Sequence, residues 1–212
     1  MRITVTLILL NLLVFLITLT DPEYYIRTYG FSANKFISGE YWVIFTSMFL
    51  HAGLSHFFFN MVALFLIGSN LEKSIKGWKY LLAYFISGFI GNLGMMIPFL
   101  YNPDAIGVGA SGAISGLIGF GTFACPGRLV FFQVIIPVPF IVAGALYFLT
   151  TTANLFVPSQ VAYPVHLLGL ISGFAMGLIS VSKKERKRNI LIFILVLLFI
   201  SLLPYLLRLL FF

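Results

Sequence analysis

The sequence predicts an all-α polytopic membrane helix bundle, on three observations: its composition, its long apolar runs, and the side of those runs on which its charges fall. Of 212 residues, 60% are hydrophobic, 17% aromatic and 9% charged, whereas soluble domains carry about 25% charged residues. Such a chain is not water-soluble. High hydrophobicity excludes a disordered chain, and Cys125, the single cysteine, excludes a disulfide scaffold. At about 20 apolar residues per crossing, runs over residues 3–20, 54–71, 80–101, 111–125, 129–152, 163–181 and 190–212 read as seven spans. The first run ends Thr18-Leu19-Thr20-Asp21 without a small-x-small cleavage site, so it reads as a retained helix rather than a signal peptide.

Positive charges alternate between the connections. Arg2, the Lys73/Lys76/Lys79 group, Arg128 and the run Lys183, Lys184, Arg186, Lys187 and Arg188 fall on one side, and the loops near Asn102 and Ser159 carry none. The positive-inside rule puts the N-terminus in the cytoplasm and, with seven spans, the C-terminus outside. The net charge of +7 therefore encodes orientation; its short basic connections lack interleaved aromatic platforms, so no nucleic-acid partner is expected. The Lys183–Arg188 run reads as a cytoplasmic anchor. The one long external loop, over residues 21–53, carries Tyr24, Tyr25, Tyr29, Phe31, Phe36, Tyr41 and Trp42, an aromatic set suited to the membrane interface.

Polar groups are costly in hydrocarbon, so those inside spans mark candidate function. All three histidines, His51, His56 and His166, fall in or beside apolar runs near the predicted external face. His56 and Asn60 are four apart and share a helix face; His51, about 140° round an ideal helix from His56, belongs to the entering loop or first turn. The fourth run opens Gly107-Val108-Gly109-Ala110-Ser111-Gly112, a serine between glycines at a helix start, where free N–H groups can stabilise an oxyanion. In the sixth run His166 heads a stripe with Gly169, Gly173 and Gly177, while the fourth presents Ser111, Ser115 and Gly119. Two small-residue faces of this kind can pack backbone to backbone and bring Ser111 Oγ to His166.

Alternatives for hydrolysis inside a membrane fit less well. The only aspartates, Asp21 and Asp104, lie in loops, against an aspartyl pair, and no His-Glu-x-x-His motif supports a zinc site. A serine nucleophile with a histidine base and no buried carboxylate remains, a dyad rather than a triad; no metal and no cofactor are expected. Glu72, at the end of the second span, reads as a structural tie, Asn92 and Asn154 as interhelical hydrogen-bonders, and Pro137 and Pro139 as a kink in the fifth span.

Taken together these residues resemble the rhomboid family of intramembrane serine proteases. The resemblance rests on Gly39-Glu40-x-Trp42, His51-x4-His56-x3-Asn60, Gly68-x3-Glu72, Gly109-x-Ser111-Gly112 and His166-x2-Gly169-x3-Gly173, in the family's order. It implies a rhomboid-like six-helix catalytic core over residues 1–182, with a basic cytoplasmic linker and a seventh transmembrane helix appended over 183–212. It further implies Ser111 as nucleophile, His166 as general base, and His56, Asn60, Gly109 and the Ser111 N–H around the oxyanion, with His51 accessory. Gly68, Glu72, Gly112, Gly169, Gly173 and Trp42 are then structural. Expected partners are transmembrane protein substrates and the lipid bilayer, with the active site opening externally from a plasma (inner) membrane; the sequence is silent on oligomeric state. Three positions depart from the family's pattern: Val43 stands where many members have arginine, Ser115 where an aromatic often packs on the histidine, and Val165 in place of alanine. The alternative is a catalytically weak or inactive rhomboid-like protein that binds transmembrane helices. A transporter fits less well, since the spans show no two-half repeat.

Overall fold

Glycine spacing decides how the helices pack. The computed structural model describes residues 2–97, 102–132, 136–157 and 159–211. At its centre stands a helix, Ser111–Ala124 (α8 below), with every residue from Gly112 to Phe123 buried. Around it, in chain order, come α1 (Arg2–Thr18), three short loop helices α2 (Pro22–Tyr29), α3 (Ala33–Ile37) and α4 (Val43–Thr46), and α5 (Leu54–Ala63), which runs through a π-turn at Leu64–Gly68 into α6 (Ser69–Glu72). Then follow α7 (Gly77–Asn92), α8, a hairpin of β1 (Leu129–Phe132) and β2 (Ile136–Pro139), α9 (Phe140–Ala153), α10 (Tyr163–Ile179) and α11 (Lys183–Phe211).

The central contact joins α8 to α10. A Cβ on Gly169, Gly173 or Gly177 would collide with the carbonyl oxygen of Gly112, Gly116 or Phe120 respectively, and one on Gly119 with that of Leu170. Only hydrogen side chains allow this approach, which recruits dispersion along both backbones where lipid offers no hydrophobic drive for association. On the other flank of α8, Gly116 meets Ser87 of α7. α8 has 14 residues, so it rises about 21 Å against a hydrocarbon core of about 30 Å.

Glu72 ties the first two spans. Its carboxylate accepts from the backbone N–H groups of Ile3 and Thr4, both at 3.0 Å, and from the Thr4 hydroxyl at 2.7 Å. Those N–H groups open α1 and have no partner within it, and a negative charge there also meets the positive end of the helix dipole. Gly68, one turn earlier, leaves room for Thr4 and for the Tyr80 hydroxyl.

The long first loop is more ordered than its aromatic composition implies. Asp21 caps α2, with Pro22 in its first turn, and Ser32 caps α3; Lys35 Nζ donates to the carbonyls of Arg27 and Thr28 at 2.6 Å, closing the end of α2. Asn92, at the end of α7, donates to the Ile44 carbonyl and the Ser47 hydroxyl, and so pins this loop to the bundle.

Several sequence expectations are corrected. The fifth run is not one kinked span: its first part is the hairpin, with Leu129 opposite Pro139 and Phe131 opposite Pro137. A proline has no N–H to give a helix, whereas a two-stranded ribbon tolerates it, so α9 starts only after Pro139. The third run's helix ends at Asn92 with one 3-10 turn to Met96, and its last residues lie outside the described ones. The basic segment is not a linker but the first turns of α11. Ser182 and Glu185 form a capping box there, Ser182 donating from N and Oγ to the Glu185 carboxylate and Glu185 N donating back to Ser182 Oγ. Asn154 bonds within its own helix, to the Thr150 carbonyl, rather than between helices. α11 docks on the bundle through Asn189, whose amide donates to the Phe123 carbonyl at 2.8 Å, and through Phe193 against Phe123, Ile141 and Ala145.

Among the described residues, Leu54–Glu72 and Lys183–Tyr205 are helices long and apolar enough to cross a membrane by length and composition, while α1, α8, α9 and α10 are shorter apolar helices. Gly173→Val tests the central contact. It should lower stability by about 1–3 kcal/mol, the usual cost of overpacking, read as a lower unfolding temperature in detergent micelles. Gly127→Ala, where a Cβ meets nothing within 4 Å, should leave that temperature unchanged.

Candidate active site

Ser111 opens α8, and the backbone N–H groups of the first helical turn find no carbonyl within the helix until Ile114 donates to Ala110. The stretch of chain leading to it is held from the long first loop. Phe31 and Gly107 exchange backbone hydrogen bonds at 3.0 and 2.8 Å, and Gly109 N donates to the Ser47 carbonyl at 2.9 Å. Since Asn92 fixes Ser47, the long first loop acts as a strut for the serine.

α10 enters with Pro164 in its first turn, placing His166 one turn down on the glycine-lined side. The glycine contact sets the two helices so that Ser111 Oγ lies 2.8 Å from His166 Nε2. For the hydroxyl to donate, Nε2 must be unprotonated, with the ring proton on Nδ1.

His56 faces the same point. Its Nδ1 accepts from Ala52 N at 3.4 Å, which leaves Nε2 as the protonated, donating nitrogen. That nitrogen is directed at Gly109: a Cβ there would lie 2.8 Å from it, and Gly109 has φ +122°. Both the left-handed backbone and the approach of the ring therefore require glycine at this position. Asn60 donates one amide hydrogen to the His56 carbonyl at 2.9 Å; an asparagine amide has two. His51 sits in the entering loop, 1% exposed, with its ring edge-on to those of His56 and Phe57; it backs His56 and does not line the serine. Trp42 is 54% exposed on the outer loop, a placement suited to the interface.

A cavity of about 260 Å³ runs down from the serine, lined by Asn60 and Ala63 of α5, Ser111 and Ile114 of α8, and Tyr147 of α9, with the hairpin residues Val130 and Phe131 also on its wall. Its walls thus come from α5, α8, α9 and the hairpin. Among the described residues no three His, Cys, Asp or Glu side chains form a metal-holding group.

The three departures have local explanations. Val43 is fully buried and packs with Phe31, Met95 and Val165 in one apolar cluster; two of the departures are thus neighbours, an apolar plug anchoring the loop where a charge would otherwise serve. Ser115 is fully buried, and the aromatic ring absent from its position comes instead from α9: Tyr147 stacks on His166 with ring centroids 6.2 Å apart and planes 25° apart, and its hydroxyl lies 2.9 Å from Ser115 Oγ. Tyr147 was not among the residues marked by the sequence motifs. Its signal was a tyrosine inside an otherwise apolar run, whose hydroxyl needs a partner when buried.

The bundle and the Ser111–His166 contact set the terms on which the chain is compared with others. Comparison with known proteins gives the family. Residues 38–183 match the Rhomboid domain. The chain is 35% identical over 153 residues to the rhomboid YdcA of Bacillus subtilis (strain 168), covering 71% of this chain and 72% of that one. It is 32% identical to the rhomboid protease GluP of the same organism, over 71% of this chain and 29% of GluP, and 34% identical to the rhomboid protease AarA of Providencia stuartii, over 54% and 48%. This chain belongs to the rhomboid family, and is accordingly a multi-pass integral membrane protein.

A double-mutant cycle tests the plug above the serine. Val43→Ala and Val165→Ala share one cluster, so the loss in the double variant should differ from the sum of the single losses by about 0.5–3 kcal/mol, measured as unfolding free energy in micelles. Additivity would separate the two sites.

Proposed function

We propose that this chain is an intramembrane serine endopeptidase, hydrolysing peptide bonds in or near transmembrane segments of other membrane proteins. The observation that carries this reading is the 2.8 Å approach of Ser111 Oγ to His166 Nε2, beside a cavity walled by α5, α8, α9 and the hairpin. Family membership, with the named rhomboid proteases among its relatives, supports it.

In the proposed reaction Ser111 Oγ attacks the scissile carbonyl carbon and its proton passes to His166 Nε2. The carbonyl oxygen, now an oxyanion, accepts hydrogen bonds from the Ser111 N–H, from His56 Nε2–H and from the second amide hydrogen of Asn60. Fixed donors of this kind in a low-dielectric site stabilise charge as it develops. Collapse breaks the C–N bond, and the leaving amine takes the proton from His166. A water then attacks the acyl-enzyme with His166 again as base, freeing the acid and restoring the serine hydroxyl. Because α8 is shorter than the bilayer core is thick, the serine lies below the membrane surface, and water reaches it from the external side. His51 supports the His56 ring from behind, while Gly112, Gly169 and Gly173 set the distance between nucleophile and base.

The same reading takes residues 1–182 as the catalytic core and 183–212 as an appended helix, with the N-terminus cytoplasmic and the site facing outward across a plasma (inner) membrane. The end of the family match at residue 183, where α11 begins, supports that division.

Ser111→Ala and His166→Ala, each purified and given a single-span substrate in proteoliposomes, should lose cleavage by at least about a thousandfold, the scale seen when members of such a catalytic group are removed. A fluorophosphonate should label the unaltered chain at Ser111. Undiminished cleavage by Ser111→Ala would overturn the proposal, and absence of labelling with no cleavage would favour a non-enzymatic binder of transmembrane helices.

A further inference from the structure

We infer that Tyr147, on α9, is the positioning residue of the base: it holds the His166 ring and ties it to the backbone of the nucleophile through Ser115. The inference rests on the Ser111–His166 dyad proposed above and adds a residue from a different helix to it.

The need for such a residue follows from the dyad itself. The chain's only aspartates are in loops, so no buried aspartate orients the imidazole. Rotation about the bond joining Cβ to a histidine ring is soft and has no sharp staggered wells, so a ring held only by one short hydrogen bond to Ser111 has a face to be fixed. Tyr147 covers that face, nearly parallel to it at 6.2 Å between centroids, an offset-stacked geometry. Tyr163 meets the ring edge-on at 6.3 Å. The imidazole is therefore bounded in two directions.

Counting protons orients the second contact. Ser115 has one hydroxyl hydrogen, and it is donated to the Ser111 carbonyl at 2.7 Å. In the 2.9 Å contact between the two hydroxyls, Tyr147 must then be the donor and Ser115 Oγ the acceptor. The chain of bonds runs Tyr147 O–H to Ser115 Oγ, and Ser115 O–H to the carbonyl of Ser111. One side chain on α9 is thus linked to the residue carrying the nucleophile and stacked on the residue carrying the base. An offset of four residues puts Ser115 one turn below Ser111 on the same face of α8, so a ring borne at position 115 would reach the same space; the serine leaves that space to Tyr147.

The contact also favours the reacting state over the resting one. As His166 takes the serine proton it becomes a cation, and attraction of a cation to an aromatic face is stronger than that of the neutral ring. An interaction that grows along the reaction raises kcat and leaves KM little changed. Tyr147 lines the cavity between α5 and α9 as well, so a purely substrate-contacting role would show the opposite pattern.

The test uses the full chain in proteoliposomes, with a single-span substrate for kcat and KM and a small fluorophosphonate for the labelling rate at Ser111. Tyr147→Leu, which fills similar space without an aromatic face, should lower kcat and the labelling rate by about ten- to a hundredfold, the cost of a misplaced catalytic group, with KM within about twofold of the unaltered chain. Tyr147→Phe keeps the stack and loses only the tether, so it should retain a larger share of the rate than Tyr147→Leu. Moving the ring, as Ser115→Tyr in the Tyr147→Leu background, should recover part of the loss. The role is overturned if Tyr147→Leu changes KM alone, if its kcat and labelling rate match the unaltered chain, or if Tyr147→Phe is as poor as Tyr147→Leu. Unfolding temperatures of the variants identify any that fail to fold, and Ser115→Ala, which cuts the tether and leaves the ring, then carries the measurement: a labelling rate equal to the unaltered chain's overturns the tether. Ser111→Ala run alongside separates the two claims. Cleavage surviving in it removes the dyad; cleavage lost in it but untouched in Tyr147→Leu removes only the role of Tyr147.

Discussion

Backbone contact between α8 and α10 is the constraint on which the rest of the structure depends. Three carbonyls of one helix, at Gly112, Gly116 and Phe120, lie against three glycines of the other, at Gly169, Gly173 and Gly177. In lipid this close approach replaces the hydrophobic drive that would hold two helices together in water. It also fixes their separation to within the thickness of a methyl group, and that separation sets the 2.8 Å between Ser111 and His166. Helix packing and the Ser111–His166 contact are therefore one geometric decision: any side chain added on the shared face parts the helices and those two side chains alike.

A rigid pair of helices places the serine but does not hold the turn before it, and the chain spends much of its first loop doing so. Phe31, Ser47 and Asn92 form a relay from α7 through the first loop to the glycine turn ahead of α8. The Val43–Val165 plug closes the same region from the apolar side. At the opposite end, Glu72 caps α1. Glu72 and Asn92 thus serve backbone ends and turns, whereas Asn11, Thr18, Asn70 and Thr122 turn back onto the carbonyl four residues earlier in their own helices.

Much of this was legible in the sequence because membrane chains carry few polar residues, and each has to be explained. His166 at the head of a glycine stripe, and Ser111 between glycines, suffice to pair the two spans. What was not legible is of two kinds. The hairpin reads as helix in the sequence because Leu129 to Phe132 and Ile136 to Pro139 are as apolar as their neighbours, and hydropathy does not distinguish a short strand pair from a broken span; Pro137 and Pro139 suggest no more than a kink there. Tyr147 was missed because its partners, Ser115 and His166, lie on other helices, and no periodicity within α9 points across to them. The capping box at Ser182 and Glu185 emerges only from the structure, because the density of lysines and arginines after it reads as a linker.

The docking of α11 has a mechanical consequence for α9. Phe193 and its neighbours Val196, Leu197 and Ile200 grip α9 at Ile141 and Ala145, and beyond them residues 201–205 of α11 stand exposed. α11 thus braces α9 along its first half, and just beyond it Tyr147 and Phe148 are held by Ser115 of α8 and by His166 and Phe174 of α10. A helix remote from Ser111 therefore steadies the one that carries the ring on His166.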